Sequence, residues 1–167
     1  RAINKNITDE QLIATAATAF ERGWTSLKLY FMIGLPTETD EDVHAIVSLV
    51  EKVRAEGRKA SGRKPMIRLS IATFIPKAHT PFQWAPQIDP ETLYRRQGIL
   101  KSGLQQKGIK LNWHEPKVSY LEAILARGDR RLGTVIKHAW ELGCTFDAWS
   151  ERFSWDTWLK AFDASGL

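Results

Sequence analysis

Apolar residues recur at helical spacing in six segments of the chain. Thr8 and Thr39 each precede acidic residues, the pattern of a helix N-cap followed by charges that complement the helix dipole. Pro90, directly after Asp89, is typical of a first helical position. Helices are therefore predicted over about residues 9–22, 40–56, 90–107, 120–127, 132–142 and 155–162.

Three other segments have the composition of strands. Ser26–Gly34 is nearly continuously apolar, which predicts a strand buried on both faces of a parallel sheet. Met66–Ile75 is the second predicted strand, and the short Ile109–His114 is the third. The resulting order, α-β-α-β-α-β-α-α-α, is that of an α/β protein with right-handed crossovers. Three strands are few for a covered parallel sheet, so the pattern predicts a slice of a larger α/β barrel.

Composition limits the chemistry that the chain can perform alone. It has 167 residues, of which 43% are hydrophobic, and a single cysteine, Cys144. One thiol excludes an internal disulfide, a thiolate zinc site and a self-contained iron–sulfur cluster. No apolar stretch approaches the roughly 18 residues of a membrane span, and no secretory signal is present. A cytoplasmic protein is expected, and the first residue, Arg1, suggests an excerpt of a longer one.

Charge is unevenly distributed along the sequence. The formal charge is +5, but residues 58–131 hold 15 basic and 5 acidic residues, or +10. The flanking segments, 1–57 and 132–167, carry −3 and −2. A field of one sign can steer anionic ligands, including phosphates and nucleic acid, although scattered solvated cations would give the same count.

The segment from Leu29 to Asp42 is the most informative stretch. It is a predicted strand that ends in Gly34, Leu35 and Pro36 and leads into an acidic helix start. In α/β folds ligands bind at this end of parallel strands, and a glycine permits close approach of a ligand to the backbone. A tight turn with an acidic N-cap would explain the same residues without a ligand.

Three strings of this sequence together resemble radical S-adenosylmethionine (SAM) enzymes, in the branch of elongator-type, methylthiotransferase-type and cobalamin-linked proteins. FMIGLPTETDED at residues 31–42 is similar to the fifth strand of that family. INKNITDEQ at 3–11 and IATFIPKAHTPFQW at 71–84 are similar to the preceding helix and to the sixth strand with its exit. The resemblance implies a fragment of a partial (β/α)6 TIM-like barrel at 1–108, followed by a small helical extension at 109–167.

The resemblance also implies a cofactor site and a substrate site. In the family, the ends of strands five and six pack against the adenine and ribose of SAM. By position, the implied cofactor-binding residues are Met32, Gly34, Leu35, Pro36, Glu38, Phe74, Ile75 and Pro76, and the implied substrate residues are Lys77, His79, Gln83 and Trp84.

The family's CxxxCxxC motif, which ligates a [4Fe-4S] cluster, is absent from these 167 residues. The parent protein is therefore expected to hold the cluster and SAM, to cleave SAM to a 5′-deoxyadenosyl radical and to act on an unidentified substrate. This chain is expected to bind neither group alone and to depend on the upstream half of the same polypeptide. The alternatives are a non-catalytic module that binds RNA or another anion through the basic segment 58–131, and a scaffold domain without a ligand.

Two further features have open interpretations. Arg127, Arg130 and Arg131 surround a glycine break and could hold a phosphate, or pair with nearby carboxylates such as Asp129. Cys144 follows a helix-ending glycine without a local activating pair, so a packed thiol is favoured over a nucleophile.

Overall fold

The computed structural model describes residues 6–167, so residues 3–5 of the family-like string at 3–11 lie outside the described residues. The elements follow the predicted order. They are α1 (Asp9–Glu21), β1 (Ser26–Ile33), α2 (Asp40–Ser61), β2 (Met66–Thr73), α3 (Pro90–Leu104), β3 (Ile109–Trp113), α4 (Pro116–Arg127), α5 (Leu132–Glu141) and α6 (Trp155–Ala164).

The described chain divides into two compact units. The first comprises residues 6–74 with Glu91–Trp113, and the second comprises Ile75–Pro90 with His114–Leu167. The domain division at residue 108 stays a prediction, whereas β3 lies in the first unit because it pairs with β2. No described helix combines the length and the apolar character that crossing a bilayer requires.

The first unit contains a three-stranded parallel sheet in the order β1-β2-β3. Ile67, Leu69 and Ile71 of β2 project to one face and are buried. Helices α2 and α3 supply further buried side chains, which are Val43, Val50, Val53, Leu93, Leu100 and Leu104. Phe20 of α1 and Ile33 of β1 are buried as well. An α/β fold is therefore confirmed, with helices that follow the strands as crossover connections.

The opposite face of the sheet is open. Along β1, Lys28, Tyr30 and Met32 are exposed while the residues between them are at least half-buried. The prediction that this strand is buried on both faces is therefore wrong for the described chain. Tyr30 and Met32 extend the apolar run in the sequence, but they alternate with the core-facing positions and lie on the uncovered face.

Local sequence signals predict the starts of α1 and α2 correctly, but not the end of α2. Thr8 and Thr39 both form the predicted N-caps, and each completes a capping box with the residue three positions later. The sequence predicts that the second helix ends at about residue 56, before Gly57. In the structure α2 runs on to Ser61. Gly57 is buried against the ring of Phe20, and a Cβ there would lie 2.5 Å from the Phe20 Cδ2 atom. Its small size permits α1 and α2 to pack closely, which offsets its poor helix propensity.

The second unit is mainly helical and has its own core. This core consists of Leu121 from α4, Val135 and Ala139 from α5, and Trp158 and Ala161 from α6. Cys144 and several aromatic side chains pack around it. The tryptophans of this unit differ in exposure, since Trp158 is buried in the core while Trp140 and Trp149 are exposed.

Candidate functional site

The carboxyl ends of β1 and β2 lie side by side in the first unit. Ile33 is the register partner of Thr73, and the Phe74 N–H donates to the Ile33 carbonyl at 2.8 Å. The implied cofactor residues Met32, Gly34 and Phe74 therefore lie along one edge of the sheet. This is the edge at which parallel α/β sheets bind ligands.

Gly34 makes the turn that follows β1. Its φ is +90°, a left-handed value that a residue with a side chain adopts only under strain. Gly34 is buried, and its N–H donates to the Glu38 Oε2 atom at 2.7 Å. The Glu38 N–H in turn donates to the Leu35 carbonyl at 3.0 Å. The loop is therefore closed on itself, and the Gly34 amide is already bonded within the protein.

A buried ion pair fixes this loop to α3. Arg96 Nη1 lies 2.5 Å from the Glu38 Oε2 atom, and Arg96 Nη2 donates to the Glu38 backbone carbonyl at 2.6 Å. The side chains of Arg96 and Glu38 are only 9% and 6% exposed. Asp40 also contacts Arg96, since its Oδ1 atom lies 3.4 Å from Arg96 Nε, and it forms a second ion pair with Arg95. We name this group, Glu38, Asp40, Arg95 and Arg96, the loop clamp.

Opposing effects act on the Glu38 carboxyl group. Burial raises the pKa of Glu38 above its ordinary value, because the charged form loses hydration. The Gly34 N–H and the Arg96 guanidinium lower the pKa in part. Both partners hold the carboxylate inside the loop, so the side chain acts on the geometry of the loop rather than presenting its charge to solvent.

The sequence interpretation missed Arg96. Leu93, Leu100 and Leu104 define the buried face of α3, and Arg96 lies between them on that face at helical spacing. A cation at an apolar-face position, combined with a loop rich in carboxylates, is the signal that could have identified it. The separation of 58 residues between Arg96 and Glu38 leaves no local pattern that links the two.

The loop presents an apolar surface to solvent. Met32 is 36% exposed, Pro36 is exposed and Leu35 is half-buried. Apolar side chains at a fixed loop fit the flat face of an adenine ring, so these residues are compatible with the cofactor contact that the resemblance implies. Phe74, by contrast, is buried with 8% exposure.

The remaining implied residues lie in the second unit. Ile75 is half-buried and Pro76 is buried, and the four implied substrate residues follow on an irregular segment. Lys77 forms an ion pair with Glu122 at 2.9 Å, and the carbonyl of Gln83 accepts from Arg127 at 3.3 Å. His79 is exposed with a φ of +61°, and Trp84 is 87% exposed.

The donor set for an iron–sulfur cluster is lacking in the described chain. Cys144 is the only cysteine, and no group of three His, Cys, Asp or Glu side chains among residues 6–167 is arranged to hold a metal. Burial and the nearby Asp147 raise the pKa of Cys144, in agreement with a packed thiol. Arg131 pairs with Asp129 at 3.0 Å, as the structural interpretation of the arginine corner expects.

Comparison with known proteins identifies an archaeal relative. No protein-family model matches the chain, and no solved structure matches it significantly. A protein of Methanocaldococcus jannaschii, MJ0966, whose name describes it as uncharacterised, is 30% identical over 165 residues. The similarity covers 99% of this chain but 35% of that protein, so the chain spans about a third of the length of the relative. The chain is therefore similar, across both of its compact units, to one portion of a longer archaeal protein.

Proposed function

We propose that this chain is the C-terminal part of a radical SAM barrel with a helical extension, and that its first unit forms part of the wall that contacts the adenosyl group of SAM. The open face of the parallel sheet is the observation that supports this proposal most strongly. Parallel sheets are normally covered on both faces, because their crossover helices pack on either side or the sheet closes into a barrel. In a barrel, the face of Lys28, Tyr30 and Met32 would line the interior.

The edges of the sheet support the same proposal. Within residues 6–167, no strand pairs with the outer edge of β1. A groove of about 460 Å³ runs along that edge, lined mainly by apolar side chains such as Leu12 and Ala16 of α1 and Leu27 and Leu29 of β1. A second groove, of about 520 Å³, follows the outer side of β3. Further βα units at these edges would satisfy the exposed backbone groups and cover the apolar groove.

The residues of this chain would bind and position the cofactor. Met32 and Pro36 offer apolar contact to the adenine ring, and the loop clamp holds the Gly34 turn in its left-handed conformation. SAM supplies the radical chemistry when it is bound. The electron for that chemistry would come from a cluster held by cysteines elsewhere in the polypeptide, because Cys144 is the only thiol here.

Anaerobic assay of the polypeptide that carries this chain tests the proposal. After reconstitution with iron and sulfide, addition of a reductant and SAM is expected to yield 5′-deoxyadenosine. Met32→Gln is expected to raise the KM for SAM on the order of tenfold, because it weakens an apolar contact without disturbing the core. Leu159→Gln, at a similarly exposed apolar position in the second unit, is the matched control and leaves this KM unchanged.

Two results would refute the proposal. One is a polypeptide without a three-cysteine motif. The other is a reconstituted protein with the absorbance of a cluster but no 5′-deoxyadenosine with any reductant.

A further inference from the structure

All charged residues in the three strands are cations, and they lie in one row. Lys28 of β1 is the register partner of Arg68 of β2, which is in turn the partner of Lys110 of β3. All three are exposed on the open face, and none of the strands contains an acidic residue. We name these three residues the cation row.

The described chain does not neutralise the cation row. Within residues 6–167, no carboxylate forms an ion pair with any of its members. Lys28 makes a cation–π contact, with its Nζ atom 4.8 Å from the centroid of the Tyr30 ring. Neighbouring strands are about 4.8 Å apart, less than the Debye length of about 8 Å at physiological salt, so the cations repel one another. Protection of sheet edges explains charges on β1 and β3 but not Arg68, which lies on the central strand.

The next row on the same face consists of hydrogen-bonding groups. Tyr30, Ser70 and Asn112 are register partners and offer two hydroxyls and an amide. Together the two rows place three cations beside three hydrogen-bond donors on one surface. Charge-assisted and neutral donors in this combination suit the oxygens of phosphate groups.

We propose that the open face binds a ligand with two or more adjacent phosphate groups, held by Lys28, Arg68 and Lys110. The row spans about 10 Å between its outer Cα atoms, which suits a chain of phosphates better than a single one. Single-stranded RNA would need several aromatic rings for base stacking, whereas Tyr30 is the single aromatic residue among the exposed residues of this face and Lys28 lies over its ring. The inference rests on strand register and charge, and it goes beyond the proposed function, which uses the same face only as the interior of a barrel.

Calorimetric titration of the purified protein with inorganic pyrophosphate tests this inference, with orthophosphate and an oligouridine RNA as comparison probes. Pyrophosphate is expected to bind about tenfold more tightly than orthophosphate, and Arg68→Gln to weaken its binding about tenfold. Arg68→Lys, which keeps the charge, is expected to bind more tightly than Arg68→Gln. Lys160→Gln removes an exposed cation from α6 and is the matched control, with unchanged affinity.

The outcomes separate the alternatives. Absence of pyrophosphate binding overturns the inference, as does equal weakening by Arg68→Gln and Lys160→Gln. Binding of oligouridine without binding of pyrophosphate also overturns it and favours a nucleic-acid surface. Circular dichroism of each variant identifies any loss of folding, and the assay requires neither SAM nor a cluster, so its result is separate from the test of the proposed function.

Discussion

Replacement of Arg96 by methionine would remove the cation of the loop clamp while keeping a side chain of similar length in the core. The Glu38 carboxylate would then remain buried with the Gly34 N–H as its remaining close donor. Removal of one partner of a buried ion pair typically costs about 3–5 kcal/mol, because the other charge is left uncompensated. The low exposure of both side chains, 9% and 6%, places this pair in that class.

Two controls isolate the effect of the buried charge. Lys59→Met breaks the pair of Lys59 with Glu56, whose atoms are 2.6 Å apart but whose side chains are 73% and 39% exposed. An exposed pair of this kind contributes below about 1 kcal/mol. Glu38→Gln combined with Arg96→Met removes both charges and is expected to restore part of the stability lost in the single variant.

The stability lost in the Arg96→Met variant should depend on pH, because it involves the pKa of Glu38. Burial raises this pKa in the folded state, and Arg96 opposes the rise, so Arg96→Met raises it further. A carboxyl group whose pKa is higher in the folded than in the unfolded state does not lower the free energy of unfolding at pH values below its unfolded-state pKa. The free energy of unfolding falls as pH rises through the folded-state pKa. The loss should therefore be greater at about pH 7 than at the ordinary Glu pKa of 4.5.

Urea unfolding at both pH values measures this loss, and hydrogen exchange of the β1 amides reports the unit that contains the pair. A loss below about 1 kcal/mol, or one that is equal at the two pH values, would refute the reasoning.

Two further predictions concern a packed glycine and the single thiol. Gly57→Ala is expected to reduce the free energy of unfolding by about 1–3 kcal/mol, since its Cβ would meet the Phe20 ring, whereas Gly98→Ala, with no atom within 4 Å, should stabilise α3 by about 0.5–1 kcal/mol. Thermal unfolding distinguishes the two glycine variants, and equal shifts of their unfolding temperatures would contradict the packing argument. Because burial and Asp147 raise the pKa of Cys144, iodoacetamide should alkylate it more slowly near pH 8 in the folded protein than in urea. A faster reaction in the folded protein would show an activated thiol instead.

Sequence patterns predicted the elements well where the signal was local. Thr8 and Thr39 marked two helix starts, and the order of strands and helices followed from periodicity. The errors arose where distant residues decide the outcome. Gly57 was interpreted as a helix end because its contact with Phe20, on another helix, cannot be recognised from spacing.

The candidate site shows the same limit. The Gly34 turn could be located from its position after a strand, since a glycine and a proline there have local conformational reasons. Arg96 could not, because the burial of Glu38 that requires a cation exists only once α3 lies beside the loop. The sequence also does not predict the register between strands, so Arg68 and Lys110 are recognised as neighbours only once β2 and β3 are paired.

The loop clamp also has a consequence for synthesis of the protein. Glu38 leaves the ribosome 58 residues before Arg96, which at about 5–20 residues per second is an interval of about 3–12 s. During that interval α2 and β2 are synthesised, but Arg96, whose guanidinium pairs with the Glu38 carboxylate in the folded protein, has not yet been made. Enclosure of that carboxylate among apolar side chains must therefore await translation of α3. The Gly34 turn would acquire its final rigidity as a late step, after the strands that flank it have been made.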